Sequence, residues 1–176
     1  MNLPMGRCSG HGLVELLNKE EVLRGIEIGC ANGDTTYHLL SSLPNIQLIG
    51  IDPYVDYVDW NTNNIHNQEQ LYIQFKQRIC NQFPNRFTLY RMTSDDAVTN
   101  FQDESLDFIF IDGLHTYEQV KQDCLLYYPK IKKGGLFAGH DYTVIEAVGN
   151  AVREFSKSIG NSQIFTTDYD VWYWFK

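Results

Sequence analysis

Apolar and polar positions change period repeatedly along this chain. Short runs of almost continuous apolar residues alternate with longer stretches in which apolar residues fall three or four apart, the signatures of buried strands and of helices packed on them. Residues 24–29, 46–52, 86–92 and 106–111 read as strands. Leu106-Asp107-Phe108-Ile109-Phe110-Ile111 is apolar after its acid, as a parallel strand covered on both faces should be. Helices are predicted over 13–23, 34–43, 66–82, 94–101, 116–131 and 143–159. Tyr117, Val120, Cys124, Tyr128 and Ile131 share one helical face, and Val144, Val148, Val152, Phe155 and Ile159 share another. Lys133-Gly134-Gly135 is expected to end the 116–131 helix, with Leu136-Phe137-Ala138 opening a fifth strand. The runs 163–167 and 171–175 are joined by Asp168-Tyr169-Asp170, too short for a crossover helix, so they should pair antiparallel. The pattern is that of an α/β chain: a doubly wound, mostly parallel seven-stranded sheet closed by an antiparallel C-terminal hairpin.

Within this pattern, residues 23–52 carry the strongest chemical signal. A strand ends in Glu27-Ile28-Gly29-Cys30-Ala31-Asn32-Gly33, a helix follows, and a second strand ends in Asp52. A parallel sheet binds ligands at the carboxyl ends of its strands, and Gly29 and Gly33 leave a turn without side-chain bulk against which a cofactor can lie. Asp52 then stands where a carboxylate can accept hydrogen bonds from ribose hydroxyls. The run lacks the Gly-x-Gly-x-x-Gly spacing of dinucleotide sites, which argues against a nicotinamide enzyme.

No repeat or linker divides the sequence, so residues 1–176 are expected to form one domain, with 1–12 mobile ahead of the first helix. The formal charge of -8 argues against nucleic acid and favours a small neutral or cationic acceptor. No leader-like start and no long apolar run is present, so a cytoplasmic protein away from membranes is expected. Cys8, Cys30, Cys80 and Cys124 form no Cys-x-x-Cys pair and read as free thiols, those at 30 and 124 buried. Residues 53–66 are polar and asparagine-rich and leave the sheet beside the glycine turn. They are expected to form a lid or acceptor loop, with Tyr54, Tyr57 or Trp60 over the site, or an ordinary solvent loop.

The segment Glu27 to Gly33, with Asp52 at the next strand end, resembles the first motif of the class I S-adenosylmethionine-dependent methyltransferases, and the terminal hairpin agrees with their Rossmann-like fold. A second pair of motifs narrows the resemblance. Asp112-Gly113-Leu114-His115-Thr116-Tyr117 and Gly134-Gly135 through Gly139-His140-Asp141-Tyr142 look like a bacterial family of small-molecule O-methyltransferases, which includes the metal-dependent enzymes acting on macrolide sugars. Both stretches leave strands on the edge that carries the glycine turn. The resemblance implies S-adenosyl-L-methionine bound by Glu27, Gly29, Gly33, Asp52 and Asp112, with Ser94 or Asp95 at the adenine edge. It also implies Asp112 and Asp141 as ligands of Mg2+ or Mn2+ and His115 as general base. His140 stands where those relatives often have an acid, as ligand or outer partner, and its imidazole weakens the case for magnesium and leaves manganese, another transition metal or no metal open.

Simpler roles remain at each position. Asp112 can hydrogen-bond loop amides, His115 can cap the helix that Thr116 caps better, and Ser94 or Asp95 can cap the helix they open. The other functions considered are a metal-independent methyltransferase, an iron-dependent hydroxylase using two histidines and a carboxylate, and a non-catalytic cofactor-binding domain of a larger multidomain protein. A homo-oligomer is also compatible with the chain's length.

Overall fold

Alternate positions of each central strand point to opposite faces, and this divides the buried residues into two layers. The computed structural model describes residues 9–17, 22–59, 61 and 63–176. The chain runs α1 (Ser9–Leu16), β1 (Arg24–Ile28), α2 (Asp34–Ser42), β2 (Gln47–Ile51), β3 (Tyr57–Val58), β4 (Asn64–Ile65), α3 (Gln68–Phe75), β5 (Phe87–Tyr90), α4 (Ser94–Ala97), β6 (Leu106–Ile111), α5 (Tyr117–Tyr127), β7 (Ile131–Gly139), α6 (Glu146–Ser158), β8 (Phe165–Thr166) and β9 (Trp172–Phe175). Seven strands form one sheet in the order β5-β2-β1-β6-β7-β9-β8, and β3 and β4 form a separate antiparallel ribbon. The first five strands of that order are parallel, and β9 runs antiparallel to both β7 and β8. The terminal hairpin and the doubly wound sheet are therefore as the pattern predicted.

Phe108 and Phe110 of β6 pack with Leu13, Leu39, Leu40 and Phe75 beneath α1 to α3. Ile109 and Ile111 pack with Val120, Tyr127, Val152 and Phe155 beneath α5 and α6. The sheet reverses its direction of growth between β1 and β6. That switch point is where the loops diverge and a ligand crevice opens.

Several boundaries differ from the sequence reading, each for a local reason. The first helix begins at Ser9, so residues 9–12 of the stretch expected to be mobile are helical; residues 1–8 lie outside the described residues. Its inner face joins Leu13 to the small residues Ser9, Gly10 and Gly12, which carry no apolar periodicity. Ser9 Oγ lies 2.6 Å from Thr35 Oγ1, and a Cβ on Gly12 would come within 2.7 Å of Thr167 Oγ1. The 116–131 helix stops at Tyr127, and a 3-10 turn carries Pro129, which has no amide to continue an α-helix. β7 consequently starts at Ile131 rather than Leu136, and the glycines sit inside it. The amide of Gly134, at φ 79, donates to the Lys176 carbonyl at 2.7 Å. The 66–82 helix is α-helical only to Phe75 and continues as a π turn over Lys76–Cys80.

Within residues 53–66, β3 and β4 pair as a short antiparallel ribbon. Tyr54 turns inward, 2 % exposed, and donates its hydroxyl to the Ala31 carbonyl at 3.0 Å, so it braces the glycine turn from below and does not cover the site. Trp60 lies outside the described residues, as does Cys8. Cys30 and Cys124 are free and buried, and Cys80 is free and half-buried. Among the described residues no helix is long and apolar enough to cross a membrane.

The tightest backbone approach at the switch point is testable. Gly29 has φ 85, and a Cβ there would lie 2.0 Å from the Asp112 carbonyl oxygen. Gly160 has φ 73 with open space around it. Gly29→Ala is expected to lower stability by more than about 3 kcal/mol, from overlap added to left-handed strain, and Gly160→Ala by about 1 kcal/mol from strain alone. Urea unfolding of the two variants measures the difference; equal losses would disprove the close approach.

Candidate functional site

Both halves of the site are carried by backbone turns that leave the central strands. After β1 the chain turns through Gly29 and Ala31, both at positive φ, and Gly33, which precedes α2 with φ 81. Asp52, just past β2, holds this turn from the side. Its Oδ2 accepts from the amides of Cys30 and Ala31, each at 3.0 Å, and its Oδ1 accepts from the Tyr54 amide at 2.8 Å. The carboxylate expected at a ribose is thus engaged by three amides, though it still lines the cavity. Glu27 is buried beneath the turn and accepts the Thr36 hydroxyl at 2.6 Å.

The turn opens onto a cavity of about 550 Å³. At the end beside β5, Thr93 caps α4 by accepting from the Asp96 amide, so neither Ser94 nor Asp95 is the cap. Ser94 instead donates its hydroxyl to Asp123 Oδ1 at 2.6 Å, and the Gln119 amide group reaches Ser94, Asp95 and Asp123 at 3.2, 3.2 and 3.1 Å. Asp123 was missed in the sequence. Its signal was an acid on the buried stripe of α5, between Val120 and Cys124. Burial pushes its pKa up to about 6 against the hydrogen bonds from Ser94 and Gln119.

The loops after β6 and β7 bring Asp112, His115, His140 and Asp141 together, as their positions on the strand edge predict. His115 Nε2 lies 3.1 Å from Asp141 Oδ2 and 3.7 Å from Asp112 Oδ1. His140 Nδ1 lies 3.2 Å from Asp141 Oδ1 and 3.6 Å from Asp112 Oδ1. Asp141 is held at φ 60, a left-handed conformation that aspartate tolerates better than most residues. Thr116 caps α5 by accepting from the Gln119 amide, which leaves His115 without a capping role.

Each imidazole is oriented by its outer nitrogen. His140 Nε2 donates to the Tyr169 carbonyl at 3.0 Å, and His115 Nδ1 contacts Asp59 Oδ2 at 3.3 Å. Asp59 comes from beyond β3, a second residue missed because nothing in the sequence ties it to a histidine 56 positions away. Burial opposes charge on both rings, yet Asp112 and Asp141 outweigh it and raise His115 to about 10 and His140 to about 11. Burial likewise opposes charge on Asp112 and Asp141, but the two histidines hold both carboxyls below their usual range.

One donor atom each from Asp112, His115 and Asp141 falls within 4.8 Å of the others, a separation that suits a single metal ion. Although Asp141 is near, His115 Nε2 is buried without a properly directed hydrogen bond among the described residues. The donor set and this orphaned nitrogen fit a divalent cation. The geometric set contains His115 where the sequence reading placed His140.

Residues 26–142 match a family described as Methyltransferase domain. The chain belongs to this family. An uncharacterized protein of Acanthamoeba polyphaga mimivirus is 29% identical over 137 residues, 75% of this chain and 58% of the relative. The chain thus spans less than two thirds of that curated relative. Among solved structures it is similar to a putative caffeoyl-CoA O-methyltransferase from Staphylococcus aureus, with TM-score 0.67, 18% identity and coverage of 99% of this chain and 85% of that one. The O-methyltransferase NovP gives TM-score 0.69 and 16% identity over 96% and 79%. An O-methyltransferase from Bacillus cereus, in complex with SAH, gives 0.66 and 15% over 99% and 85%. These likenesses show the methyltransferase fold.

In this methyltransferase domain Glu27 is the acid most out of place energetically. Burial raises its pKa to about 8 against the Thr36 hydrogen bond, helped by the charges of Asp112 and Asp52. A carboxyl whose folded pKa exceeds its unfolded value costs stability progressively as pH rises from 4.5 to about 8, because only the unfolded chain ionises there. Glu27→Gln keeps an oxygen for Thr36 and removes that cost. It is expected to stabilise the cofactor-free domain by roughly 2–3 kcal/mol at pH 7, with little gain at pH 4.5. Thermal unfolding across this range measures the effect, and a pH-independent difference would refute the neutral buried carboxyl.

Proposed function

We propose that the domain transfers a methyl group from S-adenosyl-L-methionine to a hydroxyl of a small molecule or sugar, assisted by a divalent metal, with His115 as general base. The observation that carries this reading is the convergence of the glycine turn with Asp112, His115, His140 and Asp141 at one strand edge. Similar solved structures named as O-methyltransferases support oxygen as the acceptor atom.

The turn from Gly29 to Gly33 and the acids Glu27, Asp52 and Asp112 would take the methionine and ribose parts of the cofactor. Ser94 and Asp95, steadied by Asp123 and Gln119, would face the adenine. Asp112, Asp141 and His140 would hold Mg2+ or Mn2+, and the imidazole favours manganese. When bound, such an ion supplies a Lewis acid that lowers the pKa of an alcohol chelated to it. S-adenosylmethionine, when bound, would supply a methyl group open to attack by the acceptor oxygen, and His115 Nε2 would take the hydroxyl proton. Asp59 holds Nδ1 and so aims Nε2 at the site. His115 can accept that proton only after the proton held by Asp112 and Asp141 has left, which ties the base to occupation of those carboxylates.

A second reading has a specific observation behind it. The cluster that closes within 4.8 Å includes His115, which would make His115 a ligand and leave His140 outside it. Calorimetric titration of Mn2+ into the chain loaded with S-adenosylhomocysteine separates the two. Metal binding should release protons and tighten as pH rises from 6 to 8, because His115 and His140 are protonated below about 10 and 11. His115→Ala is expected to retain Mn2+ affinity within about threefold and lose turnover by about 10²–10³-fold. Loss of metal binding in that variant would make His115 a ligand, and undiminished turnover would remove it from catalysis.

Asp59 gives an independent check. Asp59→Ala is expected to lower kcat about tenfold while KM for S-adenosylmethionine stays within about twofold, as a residue orienting the base should. A rise in KM at unchanged kcat would assign Asp59 to binding instead.

A further inference from the structure

Asp170, in the connection between β8 and β9, carries a carboxylate that the hairpin does not use. The connection closes through backbone groups and one hydroxyl. The Thr167 amide donates to the Val171 carbonyl at 2.9 Å, the Asp170 amide to the Thr167 carbonyl at 3.2 Å, and the Tyr169 amide to Thr167 Oγ1 at 3.2 Å. Asp170 stands at φ 58, a left-handed position that asparagine or glycine would also take. The turn calls for no charge at this residue.

The carboxylate reaches across to another loop. Its Oδ1 accepts from the Thr143 hydroxyl at 2.6 Å and the Thr143 amide at 3.0 Å, and its Oδ2 accepts from the same amide at 3.1 Å and from the Val144 amide at 3.3 Å. Thr143 and Val144 belong to the loop that carries His140 and Asp141 from β7 to α6. That loop has its own ties at the start, where the His140 amide donates to the Ile111 carbonyl at 3.0 Å, and within, where the Ile145 amide donates to the Asp141 carbonyl at 3.1 Å. Its outer turn is held by Asp170, through charge-assisted bonds that are stronger than neutral ones. The adjacent Tyr169 offers its carbonyl to His140 Nε2, so two successive residues of the connection hold the same loop at two points.

On its other side the connection is packed against α1. Tyr169 is buried, and its ring stacks on that of His11 with centroids 5.5 Å apart. A Cβ on Gly12 would come within 3.2 Å of Val171 Cγ2, which is as close as the helix can lie. A loop whose own residues Thr143 and Val144 are exposed is thereby referred to a buried part of the molecule.

We propose that Asp170 is a positioning residue: its carboxylate fastens the loop after β7 to the hairpin connection and so sets where His140 and Asp141 stand in the cluster with Asp112 and His115. What those two residues hold rests on the proposed function, whereas their placement rests on these hydrogen bonds alone. Asp170 touches neither cofactor nor acceptor in this scheme and acts only through Thr143 and Val144.

Three variants test it. Asp170→Gly removes the carboxylate and suits the left-handed backbone, Asp170→Asn keeps one acceptor oxygen, and Asp168→Asn removes an equal charge from the same connection. In the full chain without metal, hydrogen exchange followed by NMR is expected to be at least about tenfold faster in Asp170→Gly at the Thr143 and Val144 amides and at the His140 ring N–H, and unchanged across α6 and β9. Calorimetry of the chain loaded with S-adenosylhomocysteine should show Mn2+ affinity lowered about tenfold or more in Asp170→Gly, about threefold in Asp170→Asn and less than about twofold in Asp168→Asn. Affinity for S-adenosylhomocysteine itself, without metal, should stay within about twofold in all three. Unchanged exchange in the loop, full Mn2+ affinity in Asp170→Gly, or an equal loss in Asp168→Asn would overturn the proposal. If the wild-type chain binds S-adenosylhomocysteine but no Mn2+, the metal half of the proposed function fails, and exchange at the His140 ring N–H alone decides whether Asp170 positions that residue.

Discussion

Everything at this site depends on how closely the turn after β1 approaches the end of β6. Gly29 at φ 85 lies so near the Asp112 carbonyl that no side chain fits between them, and the Asp112 amide donates to the Ile28 carbonyl at 2.8 Å. The Gly29 amide in turn donates to the Ile51 carbonyl at 2.9 Å, so three strand ends are tied by adjacent hydrogen bonds. The loop beginning at Asp112 therefore cannot move independently of the glycine turn. A short loop carrying an acid and a histidine gains the rigidity of the sheet beneath it, which is what alignment of reacting groups demands.

The electrostatics follow from that geometry. Two carboxylates and two imidazoles packed within ion-pairing distance are nearly neutral when both rings are protonated, and this is the state their mutual pKa shifts describe. The same arrangement resists losing a proton from either ring until something positive takes its place. Asp59 and the Tyr169 carbonyl bind the outer ring nitrogens and fix which nitrogen faces inward. The orientation of the cluster is thus set from two parts of the chain distant in sequence, the ribbon segment and the hairpin connection.

The layout of the sheet was legible because it rests on periodicity: continuous apolar strands, helical spacing between them, and a hairpin connection too short for any other pairing. The four groups at the strand edge were legible for the same reason, since strand ends in a parallel sheet share one side. What escaped depended on contacts between remote segments. Asp59 has no local pattern that announces a partner at His115, and the first turn of α1 packs through Ser9, Gly10 and Gly12, which give no apolar stripe. Tyr54 read as an aromatic over the site in a polar loop, yet it is buried against Tyr72 and Phe75 because the chain doubles back beneath the turn. Asp123 stood on a buried helical stripe, and its charge there was a signal the periodicity reading passed over.

Buried acids at both ends of the cavity say which positions folding alone would not have chosen. Glu27 and Asp123 are each 1 % exposed, and burial raises the pKa of both. Apolar residues of similar size would cost less at either place, since a buried carboxyl leaves water for few hydrogen bonds. Neither acid is matched by a lysine or arginine ion pair among the described residues, and each has a hydroxyl as its short partner, Thr36 for one and Ser94 for the other. A hydroxyl satisfies one lone pair and leaves further acceptor capacity unfilled by it. Both residues line the cavity, so the capacity they retain is available to a ligand's donors. The stability given up at Glu27 and Asp123 thus leaves acceptor oxygens held in place at the cavity before any donor arrives.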